Sequence, residues 1–160
     1  MANLSVKITG LKELGQTMEA LGRKTKNKLG AKAMRKGGAI IRDQARANAP
    51  LLKEKVPHRK RGTLKKAIIA STKPQKDGSV RTIIFVRTLK NSKVLEFKGK
   101  TGKSGAYNPN DPFYWRFVEF GTSKTPAQPF LQPAFSSKKE QASREIITTL
   151  RNDILREAKK

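Results

Sequence analysis

Residues Tyr114–Phe135 read YWRFVEFGTSKTPAQPFLQPAF, and the rest of the chain is best read outward from them. Trp115, Phe117 and Glu119 alternate with Tyr114, Arg116, Val118 and Phe120, a period of two that predicts the third strand of a sheet, aromatic on both faces. Gly121-Thr122-Ser123 supplies a turn. Pro126, Pro129 and Pro133 then fix the backbone that leads into a helix. Beyond them Phe135, Ala142, Ile146, Leu150 and Ile154 recur at helical spacing, widened by Ile147, Leu155 and Ala158, which predicts a C-terminal helix of about six turns. A rigid connection presenting aromatics in the least charged third of the chain has the makings of a subunit or partner interface. Its candidate residues are Phe120, Gly121, Thr122, Pro126, Pro129, Phe130, Pro133 and Phe135. Glu119 is placed to cap a turn or to pair with a basic residue of its own or a neighbouring subunit.

Upstream, Leu4, Val6 and Ile8 alternate with polar residues as in a half-buried strand that ends at Gly10. Leu11, Leu14, Met18 and Leu21 form one stripe of an amphipathic helix, which Gly22 interrupts. Leu29, Ala33, Gly37, Ile41 and Ala45 form a second stripe, stopped by Pro50. Gly30, Gly37 and Gly38 weaken that helix, so either a neighbouring element approaches closely there or the backbone flexes. Leu64–Thr72 and Val80–Thr88 flank an Asp77-Gly78 turn and read as a hairpin, with Val80, Thr82, Ile84 and Val86 on the core face and Ile83, Phe85 and Arg87 on the other. The expected fold is therefore α+β. A small antiparallel β-sheet packs against N-terminal helices and a long C-terminal helix in a single domain, 1–160.

Charge is the second large fact. The 36 Lys and Arg outweigh 12 Asp and Glu, for a net charge of +24. Residues 1–62 carry 16 basic and 4 acidic side chains, 63–110 carry 11 and 2, and 111–160 carry 9 and 6. A surplus confined to the first two thirds suggests a basic face turned toward phosphates. Two flexible basic loops are expected, at about 51–63 and 89–112, with a short strand turn around Val94, Glu96 and Phe97 inside the second. Their candidate contacts with DNA or an acidic partner are Arg59, Lys60, Arg61, Lys90, Lys93, Lys98, Lys100 and Lys103. No cysteine is present, which excludes disulfides and thiolate metal sites. No apolar run reaches the roughly 20 residues of a membrane span, and the first ten residues lack a signal-peptide core, so a soluble protein is expected.

Catalytic constellations are missing. His58 is the sole histidine and lies in a basic loop, and no carboxylates form a D-x-D or E-x-x-H grouping. Gly99-Lys100-Thr101 and Gly102-Lys103-Ser104 lack the first glycine of a phosphate loop at the required spacing. No catalytic, cofactor-binding or metal residues are assigned, and no enzyme activity, cofactor or small-molecule substrate is expected.

The order FVEFGTSKTPAQPFLQPAF closely resembles the signature of the tail-completion or neck proteins of long-tailed bacteriophages, the head-tail joining family. Ala49-Pro50 and then Gly62-Thr63-Leu64, before Ala67-Ile68, resemble that family's link between long helix and sheet, with an insertion between the halves and Thr after Gly rather than before it. The resemblance implies a structural virion protein that assembles in the host cytoplasm. It implies a hexameric ring at the head-proximal end of the tail, contacting copies of itself, the tail tube and the head connector around a channel crossed by DNA. The alternative is a nonspecific basic nucleic-acid-binding protein, which explains the charge but not the proline-spaced aromatic connection.

Overall fold

The computed structural model describes Gly15 and residues 23–52 and 56–157. The strand expected at 4–8, the helix from Leu11 and its interruption at Gly22 lie outside them. The described elements are α1 (Arg23–Asn48), α2 (Thr63–Ala67), β1 (Ile68–Pro74), β2 (Val80–Val86), α3 (Asn91–Thr101), a 3-10 turn (Gly105–Tyr107), α4 (Trp115–Phe120) and α5 (Leu131–Glu157). The architecture is α+β, with long helices and a two-stranded antiparallel sheet. The chain forms two compact units, neither continuous in sequence. One holds the described residues of Met1–Ile41, Ala70–Ile84 and Ser136–Lys160, and the other Arg42–Ile69 and Phe85–Phe135.

In the first unit α1 packs with so little space that two of its residues can have no side chain. A Cβ on Gly37 would lie 2.5 Å from Ile146 Cγ1 and 3.0 Å from the Ala142 carbonyl oxygen of α5. One on Gly38 would lie 2.6 Å from Thr82 Cγ2 of β2, and one on Gly30 would lie 3.1 Å from Val80 Cγ2. Close approach, not backbone flexing, therefore explains these glycines. The expected stripe of Leu29, Ala33, Gly37, Ile41 and Ala45 is buried along its whole length. Thr82 ties sheet to helix, its Oγ1 lying 2.7 Å from Thr72 Oγ1 and 3.3 Å from the Met34 carbonyl. Lys32 donates to Asp153 Oδ1 at 2.8 Å across the α1–α5 contact, and Arg156 donates to the same oxygen at 2.7 Å. The Lys32 hydrogen bond, more than the other nearby cations, holds Asp153 below the usual carboxylate range.

The hairpin follows the expected pattern. Gly78 takes φ 84° in the turn, where Gln75 N–H donates to the Ser79 carbonyl at 2.8 Å. Val80, Thr82, Ile84 and Val86 are the more buried set, while Ile83 and Phe85 are exposed. The segment expected to be a strand from Leu64 begins instead with the short helix α2, which buries Leu64 before the chain extends at Ile68.

Two further segments differ from expectation. Trp115–Phe120 is a helix, not a third strand. Its more buried residues, Trp115, Val118 and Glu119, follow the i, i+3, i+4 spacing, whereas Phe117, which alternation pairs with Glu119, is exposed. Six residues, four of them aromatic or β-branched, are too few for periodicity to separate the two. Asn91–Thr101, expected within a basic loop and to hold a short strand turn, is also a helix. Glu96 accepts from Lys93 at 2.8 Å and from Lys100 at 2.7 Å, at the spacings that support helices. Gly102 closes it in the left-handed region, φ 67°, donating its N–H to the Lys98 carbonyl.

Gly37→Ala should lower stability by about 1–2 kcal/mol, because overpacking outweighs the roughly 1 kcal/mol that Ala gains in helix propensity. In an Ile146→Ala background the same Gly37→Ala change should cost less than in the parent, since the Ile146 side chain no longer meets the new methyl. Urea denaturation of the single and double variants reads this directly. Asp153 should also leave a pH signature. Its folded pKa is depressed, so its contribution is full above the unfolded value of about 3.9 and is lost as pH falls through the folded value. Stability measured from pH 6 down to pH 2, as order-of-magnitude limits of that window, should fall less steeply for Asp153→Asn than for the parent.

Candidate functional site

In the second unit, α4 and the proline connection are organised by one carboxylate. Glu119 is 6% exposed. Its Oε2 accepts from the backbone N–H groups of Phe130 at 2.8 Å and Leu131 at 3.0 Å, and its Oε1 from that of Gln132 at 3.1 Å. The next residue is Pro133, which has no N–H. The four donors that a helix start leaves without intrahelical partners are thus all accounted for, three by Glu119 and one by proline chemistry. The negative group also sits where the helix dipole of α5 favours it. Of the sequence alternatives for Glu119, capping is the one realised, at a helix rather than a turn.

The connection between Glu119 and α5 is itself fixed. Gly121 takes φ 75°, and a Cβ there would lie 2.8 Å from Ala127 N. Thr122 N–H donates to the Thr125 carbonyl at 2.9 Å, while Thr122 Oγ1 accepts from Thr125 N–H at 3.0 Å and Lys124 N–H at 3.2 Å. Gln128 N–H returns to the Val118 carbonyl at 2.8 Å.

The expected interface residues separate into two groups. Phe120 is 73% exposed, and Thr122, Pro126, Pro129 and Pro133 are exposed, with Gly121 and Phe135 half-buried. Phe130 is 0% exposed and is the largest fully buried side chain of the described residues, so it belongs to the core and is not available to a partner. The sequence-based interface residues omit Leu51 and Phe117, 41% and 54% exposed, since the first falls in the expected basic loop and the second in the expected strand. With Pro50, Leu52, Tyr114, Val118 and Pro126 they line an open apolar groove of about 480 Å³.

The expected basic contacts separate as well. Arg59 is committed internally. Its Nη1 donates to the Ala106 carbonyl at 2.6 Å, and its guanidinium lies 5.1 Å from the ring centroids of both Phe113 and Tyr114. Burial raises the Tyr114 pKa, and the Arg59 charge opposes that rise. Lys93 and Lys100 face Glu96, whose pKa they pull down to about 2, chiefly through the Lys100 hydrogen bond. Lys90, Lys98 and Lys103 are exposed. Lys60 and Arg61 line a second cleft of about 250 Å³ together with Lys66 and Arg87, neither of which lay in the expected basic loops.

His58 packs against Tyr107 with ring centroids 4.8 Å apart and the ring planes tilted by 55°. Among the described residues, no group of three or more His, Cys, Asp and Glu side chains could hold a metal ion, and no helix is long and apolar enough to cross a membrane.

A family model described as "Bacteriophage HK97-gp10, putative tail-component" matches residues 12–121. The match takes in α1, the hairpin, α3 and α4, and ends at the glycine that follows Phe120. No curated protein and no solved structure matches the chain.

Glu119→Ala would leave three N–H groups without their acceptor and should cost about 2–3 kcal/mol. Glu119→Gln keeps one acceptor oxygen and should cost less. Chemical denaturation ranks the two, and parent-like stability of Glu119→Ala would mean that water replaces the carboxylate.

Proposed function

We propose that this chain, which belongs to the HK97 gp10-like family of bacteriophage tail components, completes the tail at its head-proximal end. As a structural component of the virion it works through contacts with other virion proteins. In the proposed role, copies close into a hexameric ring that joins the tail tube to the head connector and leaves a channel for DNA. The observation that carries this reading, beyond family membership, is the exposed aromatic end of α4. Phe120, 73% exposed, sits immediately before the rigid Gly121 turn, and Phe117 one turn earlier is 54% exposed and lines the apolar groove. A helix end so apolar is costly in water and marks a surface that another protein covers. A ring requires a heterologous contact, in which one patch of each copy meets a different patch of the next. Phe120 and the groove that Phe117 lines form one continuous apolar surface, which supplies one of those two patches.

The alternative, a nonspecific nucleic-acid-binding protein working outside the virion, is favoured by the basic cleft but gives no role to these aromatics. Purified protein should form a closed ring by native mass spectrometry and electron microscopy. Phe120→Asp should yield folded monomers, with circular dichroism unchanged. A wild-type protein that stays monomeric at high concentration, both alone and with its tail-tube and connector partners, would count against the ring.

A further inference from the structure

The second cleft is built from four separate segments of one compact unit. Lys60 and Arg61 come from the loop before α2, Lys66 from α2 itself, Arg87 from the residue after β2, and Asn110 from the segment before α4. These segments are pinned to one another. Arg87 N–H donates to the Ala67 carbonyl at 2.9 Å, Thr63 Oγ1 to the Pro109 carbonyl at 2.9 Å, and Thr63 N–H to the Lys60 carbonyl at 3.3 Å. Leu89 N–H donates to Asp111 Oδ1 at 3.3 Å, so this buried carboxylate accepts from the backbone of a lining residue. Lys60, Arg61, Lys66 and Arg87 are all exposed, and among the described residues none is paired with a carboxylate. The lining contains no acidic residue, and the Thr88 and Asn110 side chains add neutral hydrogen-bonding groups.

Four like charges around one concavity repel one another, and with no carboxylate among its lining residues the cleft favours an anion from outside. Small-molecule sites begin at roughly 300 Å³ and are mostly apolar, whereas this one is about 250 Å³ and strongly cationic. It fits a small, charged group of a longer polymer that lies across its open mouth. By contrast, the lysines of α3 include two already paired with Glu96, and Arg59 is packed against aromatics. We propose that the cleft of Lys60, Arg61, Lys66 and Arg87 binds phosphate groups of the DNA backbone. The choice of DNA over an acidic protein surface rests on the proposed place of this protein around the DNA channel. Contacts to phosphates position a polymer without reading its sequence, so binding here is sequence-independent.

The test uses the full-length protein and a short fluorescent DNA duplex, with a second, unrelated duplex and poly-glutamate as comparison probes. Lys66→Gln with Arg87→Gln is compared with a charge-matched control on α1, Lys24→Gln with Lys28→Gln, and thermal melts establish that both are folded. If each removed cation neutralises one phosphate, the dependence of log affinity on log salt becomes shallower by about 1.8 in the cleft variant. Between about 50 and 200 mM salt the parent then loses about tenfold more affinity than the cleft variant, for either duplex. A cleft variant whose slope and affinity match those of the control overturns the proposal. So does cleft-dependent binding of poly-glutamate with little binding of DNA, which marks an acidic protein as the occupant. Mass measurement on the same samples separates this inference from the ring. Rings with cleft-independent DNA binding defeat the cleft alone, and monomers with cleft-dependent binding defeat the ring alone.

Discussion

The carboxylate of Glu119 at the start of α5 is the constraint on which the second unit depends. By accepting from Phe130, Leu131 and Gln132 it sets where the last helix begins and which residue precedes it. Phe130 is thereby driven into the core, and the chain between the two residues must turn back on itself within a short span. Gly121 makes the turn possible because no side chain fits against Ala127 at its φ of 75°. Pro133 then occupies the one first-turn position whose N–H the carboxylate does not reach. The glycine, the acid and the proline that looked like separate motifs in the sequence are parts of one helix start. What remains outside, Phe120 and the segment 122–129, is exposed because the inner positions are already filled.

Much of the first unit was legible in the sequence. The stripe from Leu29 to Ala45 has a strict helical period, long enough to be unambiguous, and all of it is buried. The hairpin carried both an Asp-Gly turn and alternating burial. The misreadings fall on short elements. Trp115–Phe120 has strand-like residues but helical burial, and its true partner, the N–H triplet of 130–132, lies eleven or more residues away. That long-range bond overrides local propensity. Asn91–Thr101 looked like loop because its lysines and glycine obscured a face made only of Val94 and Phe97. The basic cleft was half legible. Lys60 and Arg61 stood out as a run, but Lys66 and Arg87 are far apart in sequence and meet only because Ala67 and Arg87 pair.

The electrostatic layout follows from how few acids there are and how fully they are used. Asp43 serves Arg42, Glu96 serves Lys93 and Lys100, and Asp153 serves Lys32 and Arg156. Asp77, Asp111 and Glu119 accept from backbone N–H groups. Seven acids counted with Glu145, which faces Lys36, are spent on structure, and the surplus of cations is left to the surface. Such a surface repels itself and gains most when a polyanion lies against it.

The bare backbone of Gly37 and Gly38 carries a consequence for how the protein is made. A helix with adjacent glycines has weak intrinsic stability, and α1 gains its order from what it touches. One of those surfaces, around Ala142 and Ile146, lies far downstream of it in the sequence. On the ribosome, which delivers about 5–20 residues each second from the N-terminus, α1 emerges long before its companion. α1 therefore completes its packing only after α5 has been made, and a nascent or prematurely terminated chain leaves its α5-facing side uncovered.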